Sequence, residues 1–157
     1  MRIKEIKLYM FDELSDLAKW RARDWFRKGN LDYDWWDSTY EDAERIGLTI
    51  KAFDLGRGSY VDGRLSGSMK DTIAKILTEH GHDCDTYKLA LEFLPSVEKE
   101  DEEVEEDEET VKDFTQRLCE EYRIMLQHEL EYLESKEHAE ESIIANEYEF
   151  TEDGNRA

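Results

Sequence analysis

Between Glu98 and Glu109 the chain reads EKEDEEVEEDEE, with ten carboxylates in twelve residues. Like charges at that density repel one another and hold water. The tract therefore reads either as a solvated linker between two folded parts or as a surface made to be bound. On a helix the twelve residues span about 18 Å, or one charge per about 1.8 Å. Double-stranded DNA carries one per about 1.7 Å. Extended, the spacing rises to about 4 Å, nearer that of one strand.

The tract divides the charge of the chain. Residues 1–97 hold 18 acids against 15 bases, and residues 98–157 hold 23 acids against 6. The total is −20. Direct binding to nucleic acid or to an anionic membrane surface needs positive charge, so neither is expected, and a partner protein with a basic surface is favoured. Aromatic residues make up 11% of the chain, which separates it from generically disordered acidic sequences. Its 157 residues are enough for one modest core. The expected organisation is a near-neutral core over 1–97, the acidic tract over 98–109, and an acidic helical region over 110–157 packed on the core.

The local signals alternate between strand and helix. IKEIKLY (3–9) reads as a first strand. Ser15 caps a helix with Leu17, Ala18, Trp20, Ala22, Trp25 and Phe26 as its apolar face and Gly29 as its stop. Asp34 is expected to cap a second helix, with Trp36, Tyr40, Ala43 and Ile46 inward and Gly47 at its end. Residues 48–66 read as a β-hairpin with glycine turns. Ser68 caps a third helix with Ile73, Ile76, Leu77 and His80 as its stripe. A fourth begins at Asp83 or Asp85 and is ended by Pro95. Val111, Phe114, Leu118, Tyr122, Met125, Leu126, Leu130 and Leu133 recur at helical spacing and predict one long amphipathic helix. Ser135 caps a last helix with Ile143 and Ile144 inward, and EYEF is a candidate final strand. The class is α+β: a small antiparallel sheet of N-terminal strand, central hairpin and C-terminal strand, packed with about six helices.

The segments FDELSDLAKWRARDWF, DYDWWDSTYEDA and the closing IIANEYEFTEDGNR resemble a family of small phage and prophage proteins labelled as antitoxins of a toxin–antitoxin stability system. The resemblance implies a mobile-element protein that acts inside the host cell by binding another protein. It supplies no catalytic residues, and it does not extend over the acidic tract.

Two surfaces are candidates for that partner. One is anionic: Glu100, Asp101, Glu102, Glu103, Glu105, Glu106, Asp107, Glu108 and Glu109, continued on the long helix by Glu120 and Glu121. Such a surface would stand in for nucleic-acid phosphates on a nuclease, repressor or other defence protein. The other is aromatic. Trp35 and Trp36 are adjacent and cannot both face one core from a helix, so one is expected at an edge or interface. A third reading places a small anion or nucleotide against Arg57 and Arg64 of GRGSYVDGRLSGS, although neither phosphate-loop fingerprint is present. His80, His82 and Cys84 alternate in HGHDCD, but one zinc ion takes four ligands, so the segment reads as a helix-ending turn. DYDWWD lacks the spacing and glycine of a calcium loop. No serine sits in a nucleophile-elbow context. The expectation is a non-enzymatic protein with no cofactor and no metal, and pairing of its helices between copies is left open. The opening MRIKEIKLYMFDEL lacks a long apolar stretch, no segment approaches a membrane span, and the two cysteines form no motif. The chain is thus expected to be cytoplasmic.

Overall fold

The computed structural model describes residues 6–31, 33–98 and 106–157. Its elements, in order, are β1 (Tyr9–Met10), a 3-10 turn (Phe11–Glu13), α1 (Asp16–Asn30), α2 (Asp37–Arg45), β2 (Leu48–Asp54), β3 (Tyr60–Leu65), α3 (Met69–Glu79), α4 (Asp85–Val97), α5 (Glu108–Leu133), α6 (Lys136–Ala145) and β4 (Glu149–Phe150). The class is α+β, with six α-helices among the described residues. The strands form two separate two-stranded sheets, β1 with β4 and β2 with β3, rather than one. The chain makes two compact units. One comprises residues 1–35 and 129–157, the other residues 36–128. These boundaries do not coincide with the changes of charge at 97 and 110. α5 contributes residues up to His128 to one unit and from Glu129 to the other.

The unit of residues 36–128 is built around the apolar stripe of α5. Phe114, Leu118 and Tyr122 are fully buried, with Ala43, Ile46, Leu48, Ile73, Ile76 and Ala90 in the same core. Phe93 of α4 meets Phe114 edge to face at 5.3 Å. Each large side chain so buried contributes about 1.5–3 kcal/mol. β2 and β3 pair antiparallel from Leu48↔Leu65 to Asp54↔Tyr60, with an irregularity between Ile50 and Ala52. Gly63 of β3 faces α5, where a Cβ would lie 3.1 Å from Cys119 Sγ and 3.2 Å from the Thr49 carbonyl oxygen. The glycine that weakens the strand in isolation is what lets the helix approach it. Ser68 caps α3 as expected, its hydroxyl accepting from the Asp71 N–H.

The unit of residues 1–35 and 129–157 has a smaller core of Phe11, Leu14, Ala18, Ala22, Ile143 and Phe150. Ser15 accepts from the Ala18 N–H and Ser135 from the His138 N–H, as their positions predict. An ion pair at 2.9 Å joins Arg23 of α1 to Glu140 of α6. After β4 the chain turns back through Thr151–Asn155, and Phe150 bridges to Arg156.

Several local expectations are corrected. Of the strand expected over 3–9, residues 3–5 lie outside the described residues; among the described ones the strand is Tyr9–Met10, its partner β4 being itself two residues long, and residues 6–8 carry no strand. α1 buries Ala18 and Ala22 but leaves Leu17 and Trp20 exposed, since a stripe of small residues is enough to seat it. It also runs past Gly29 to Asn30. α2 starts at Asp37 behind Trp36, whose side chain makes no capping bond, so Asp34 is not its cap. Pro95 lies inside α4, which continues to Val97. A proline removes the bond to the carbonyl four residues back and crowds it, which confines the disturbance here to the last turn. Ile144 is exposed while Ile143 is buried, as the 100° between successive helical residues requires.

Gly154 tests the seating of the C-terminal turn. Its φ is +86°, and a Cβ there would stand 2.1 Å from the Ala18 carbonyl oxygen of α1. Gly154→Ala is expected to cost about 2 kcal/mol or more, from the left-handed backbone and the clash together. Urea denaturation would show this as a lowered midpoint, and an unchanged midpoint would mean that the turn does not rest on α1.

Candidate functional site

Of the acidic tract, Glu100, Asp101, Glu102, Glu103 and Glu105 lie outside the described residues. Glu106 does not face solvent as a free charge. Its two carboxylate oxygens accept from the backbone N–H groups of Met69 at 2.8 Å and Lys70 at 2.9 Å, the start of α3. These are among the four N–H groups that a helix leaves without internal partners, and the positive end of the helix dipole lies there. Asp107 accepts from the Thr110 hydroxyl at 2.8 Å and from its N–H, in the manner of a cap for α5. Glu108 and Glu109 are exposed in the first turn of α5. Glu120 is held by Arg123, whose Nη2 approaches to 2.6 Å, and this bond holds its carboxyl below the ordinary range. Glu121 is half-buried; burial first, then the charges of Asp85 and Glu120, push its carboxyl up. Lys112, Arg117 and Arg123 interrupt the acids along the same helix. Arg117 is paired bidentately with Glu92 of α4.

The adjacent tryptophans part company. Trp36 belongs to the 36–128 unit, half-buried with its ring edge to face on Phe53 at 5.7 Å, and Tyr40 meets the same phenylalanine at 6.1 Å. Trp35 belongs to the other unit and is also half-buried. Large exposed apolar side chains are concentrated elsewhere. Of eleven among the described residues, only Tyr60 and Leu91 lie in the 36–128 unit. The other nine include Trp20 at 55% exposure, Tyr33 at 53% and Trp25 at 38%. The same small unit carries, from Glu129 onward, ten acids and only two bases, Lys136 and Arg156.

His80 closes α3, and among the described residues no group of three or more candidate metal ligands gathers. Its imidazole joins a polar chain within the 36–128 unit. Nε2 lies 3.1 Å from Asp42 Oδ2 on α2, and Nδ1 meets the Thr86 hydroxyl in the first turn of α4. Because a carboxylate only accepts, Nε2 carries the proton of the first bond. The Tyr122 hydroxyl of α5 donates to the same Asp42 oxygen at 2.8 Å. Burial raises the Tyr122 phenol far above its ordinary value, and Asp42 adds to this. The His80 bond chiefly holds the Asp42 carboxyl low, helped by Tyr122 and by the charges of His80 and Arg45, against a burial effect of opposite sign. Hydroxyl, imidazole and carboxylate in series is the order of a catalytic triad. Here the hydroxyl belongs to a fully buried threonine, so the chain satisfies core polar groups and ties four helices together.

Two concavities are lined by residues of single units. Along β3 and α5 runs a groove of about 720 Å³, bordered by Arg64 and Lys112 but also by Asp62 and Glu120. Arg57 is not among its lining residues. The second is an aromatic recess of about 290 Å³ between Trp25, Phe26, Gly29, Tyr33 and Tyr148. Sequence spacing did not single it out, because Tyr148 comes from the far end of the chain. The one available signal was an excess of aromatics on α1 beyond what its narrow alanine stripe can bury. Compared with protein-family models, curated proteins and solved structures, the chain matches none.

Two substitutions test the roles assigned to carboxylates. Glu106→Ala is expected to destabilise by about 1–2 kcal/mol, the value of a charged N-terminal cap, and to speed amide exchange at Met69 and Lys70. For Asp42 the effect depends on pH. A carboxyl whose folded pKa lies below the unfolded value of about 3.9 stabilises fully above that value. The contribution is lost as pH falls through the lower folded value. The difference in denaturation midpoint between wild type and Asp42→Asn is therefore expected to be widest well above the unfolded value and to close as pH falls below the folded one. A difference independent of pH would show that the ionised carboxylate is not what matters.

Proposed function

We propose that the protein is a non-enzymatic inhibitor that binds a protein partner through an acidic, aromatic-rich surface and competes for that partner's basic site. The observation that carries the reading is the composition of the unit formed by residues 1–35 and 129–157. It joins nine exposed large apolar side chains to the ten acids that follow His128. Exposed tryptophan and tyrosine supply contact area at low entropic cost. The carboxylates supply complementarity to a basic surface and speed association.

Few of the acids on α6 and after it are neutralised internally. Among the described residues there, the ion pairs found join Glu140 to Arg23 and to Lys136. In the 36–128 unit, by contrast, Glu106, Asp107 and Glu120 already have donors. This weights the partner surface toward α6 and the C-terminal segment more than toward the start of α5. The resemblance of both chain ends to phage and prophage proteins supports a host protein as that partner, such as a nuclease, a repressor or a toxin. The third reading, a small anion against Arg57 and Arg64, draws less support, since the groove beside Arg64 is bordered by acids as well.

Binding of this kind weakens with added salt, because exposed charges are screened within about 10 Å at 0.1 M. Capture of a partner from bacterial lysate at low salt, followed by titration of that partner at rising salt, is expected to show a steep loss of affinity. Replacing Glu137, Glu141, Glu147 and Glu149 together by glutamine should flatten the slope and weaken low-salt binding by about tenfold or more. An affinity unchanged from low to high salt would remove competition by charge.

A further inference from the structure

The recess beside α1 has a form that its own packing does not require. Trp25 and Tyr148 stand at 86° to one another with ring centroids 5.3 Å apart, and Phe26 is tilted 62° to Trp25. Three rings thus stand as walls at steep angles to each other, with Tyr33 and Gly29 completing the lining. Its volume, about 290 Å³, is at the small end for ligand sites, which run from about 300 Å³ upward. It suits one long side chain.

Neither the backbone nor the packing requires glycine at position 29. It is helical, its φ is not positive, and nothing lies within 4 Å of where a Cβ would be. A glycine within a helix costs about 1 kcal/mol relative to alanine. A Cβ at this position would touch no wall of the recess, so only a longer side chain would fill it.

The surroundings choose the sign of the guest. Aromatic faces attract cations through the ring quadrupole. Arg156 already places its guanidinium 4.8 Å from the centroid of Tyr148, and it is not among the residues lining the recess. Glu147 and Glu149 flank Tyr148 in the chain and Asp34 follows Tyr33, all three exposed. Lys28, the cation next to Gly29, is paired with Asp24 at 2.9 Å. An anionic guest would face these carboxylates and a net charge of −20.

We infer that the recess receives a lysine or arginine side chain of the protein partner. The inference rests on the proposed reading of a basic partner and names the point at which that partner is gripped. The carboxylates attract the basic surface, and the rings hold one of its cationic side chains.

The test uses single-residue probes on the whole chain. N-acetyl-arginine amide, N-acetyl-lysine amide and the uncharged N-acetyl-norleucine amide are titrated while the indole N–H resonance of Trp25 is followed, assigned by its loss in Trp25→Phe. The two cationic probes are expected to give a saturable shift. Norleucine should bind about tenfold more weakly. Gly29→Leu should abolish the shift by filling the recess, whereas Gly29→Ala should leave the fold intact and raise the melting temperature. Tyr33→Ala, at an exposed position, gives an independent loss of binding. Equal binding of norleucine would overturn the cationic guest, and no saturable shift with any probe would overturn the recess as a site. If the probes fail while the captured partner still binds with steep salt dependence, the recess alone is wrong. If the cationic probes bind while partner affinity ignores salt and the glutamine substitutions, the recess stands as a cation site and the acidic surface falls.

Discussion

The Tyr122 hydroxyl lies where no water reaches, in the middle of the long helix that organises the 36–128 unit. A buried hydroxyl left without a partner costs about 1–3 kcal/mol, so this helix can be buried only if something accepts that proton. Asp42 does so from a position that is only partly buried. His80 supplies the second bond and hands its other nitrogen to Thr86. The four side chains come from α2, the end of α3, the start of α4, and α5. Apolar packing alone would allow these helices to slide over one another. A hydrogen-bonded chain with one satisfied arrangement fixes their register.

Much of this fold is legible in the sequence where the signal is local. Ser15, Ser68 and Ser135 each stand immediately before a helix and each accepts a bond from the N–H three residues on. The stripe from Val111 to Leu133 repeats for long enough that only a helix accommodates it. Legibility fails where the deciding partner is distant. Nothing near Asp42 announces that Tyr122, eighty positions away, will donate to it. The available hint was that a tyrosine and a histidine on apolar stripes carry polar atoms that must be satisfied somewhere. Apolar character alone places Leu17 and Trp20 on the packing face of α1. α1 packs through Ala18 and Ala22, and hydrophobicity without a matching surface does not bury a side chain.

Charge is subject to the same limit. Counting carboxylates from Glu98 onward overstates the anionic surface of the 36–128 unit, because a carboxylate close to a helix start or an arginine is drawn into local structure. Glu106 illustrates the difference between a charge in the sequence and a charge available to a partner. Its two oxygens are both engaged by the first N–H groups of α3. The end of the acidic tract is therefore anchored by the fold, and a partner competing for that carboxylate would have to uncap the helix. The acids of α6 and the C-terminal segment meet far fewer internal donors, and no comparable cost attaches to their use.

A surface that combines such acids with open aromatic rings divides the work of binding in a definite way. Long-range attraction raises the rate of encounter but is screened by salt and contributes little once the partners are in contact. A cation lodged among rings gains at short range only, and the gain grows as water leaves the recess. Charge alone would give fast, weak and unselective association with any basic protein. Rings alone would bind no partner quickly. In the proposed reading the two together would favour a basic surface that also presents one protruding lysine or arginine at the right place, and selectivity among basic proteins would then depend on the recess more than on the acids that surround it.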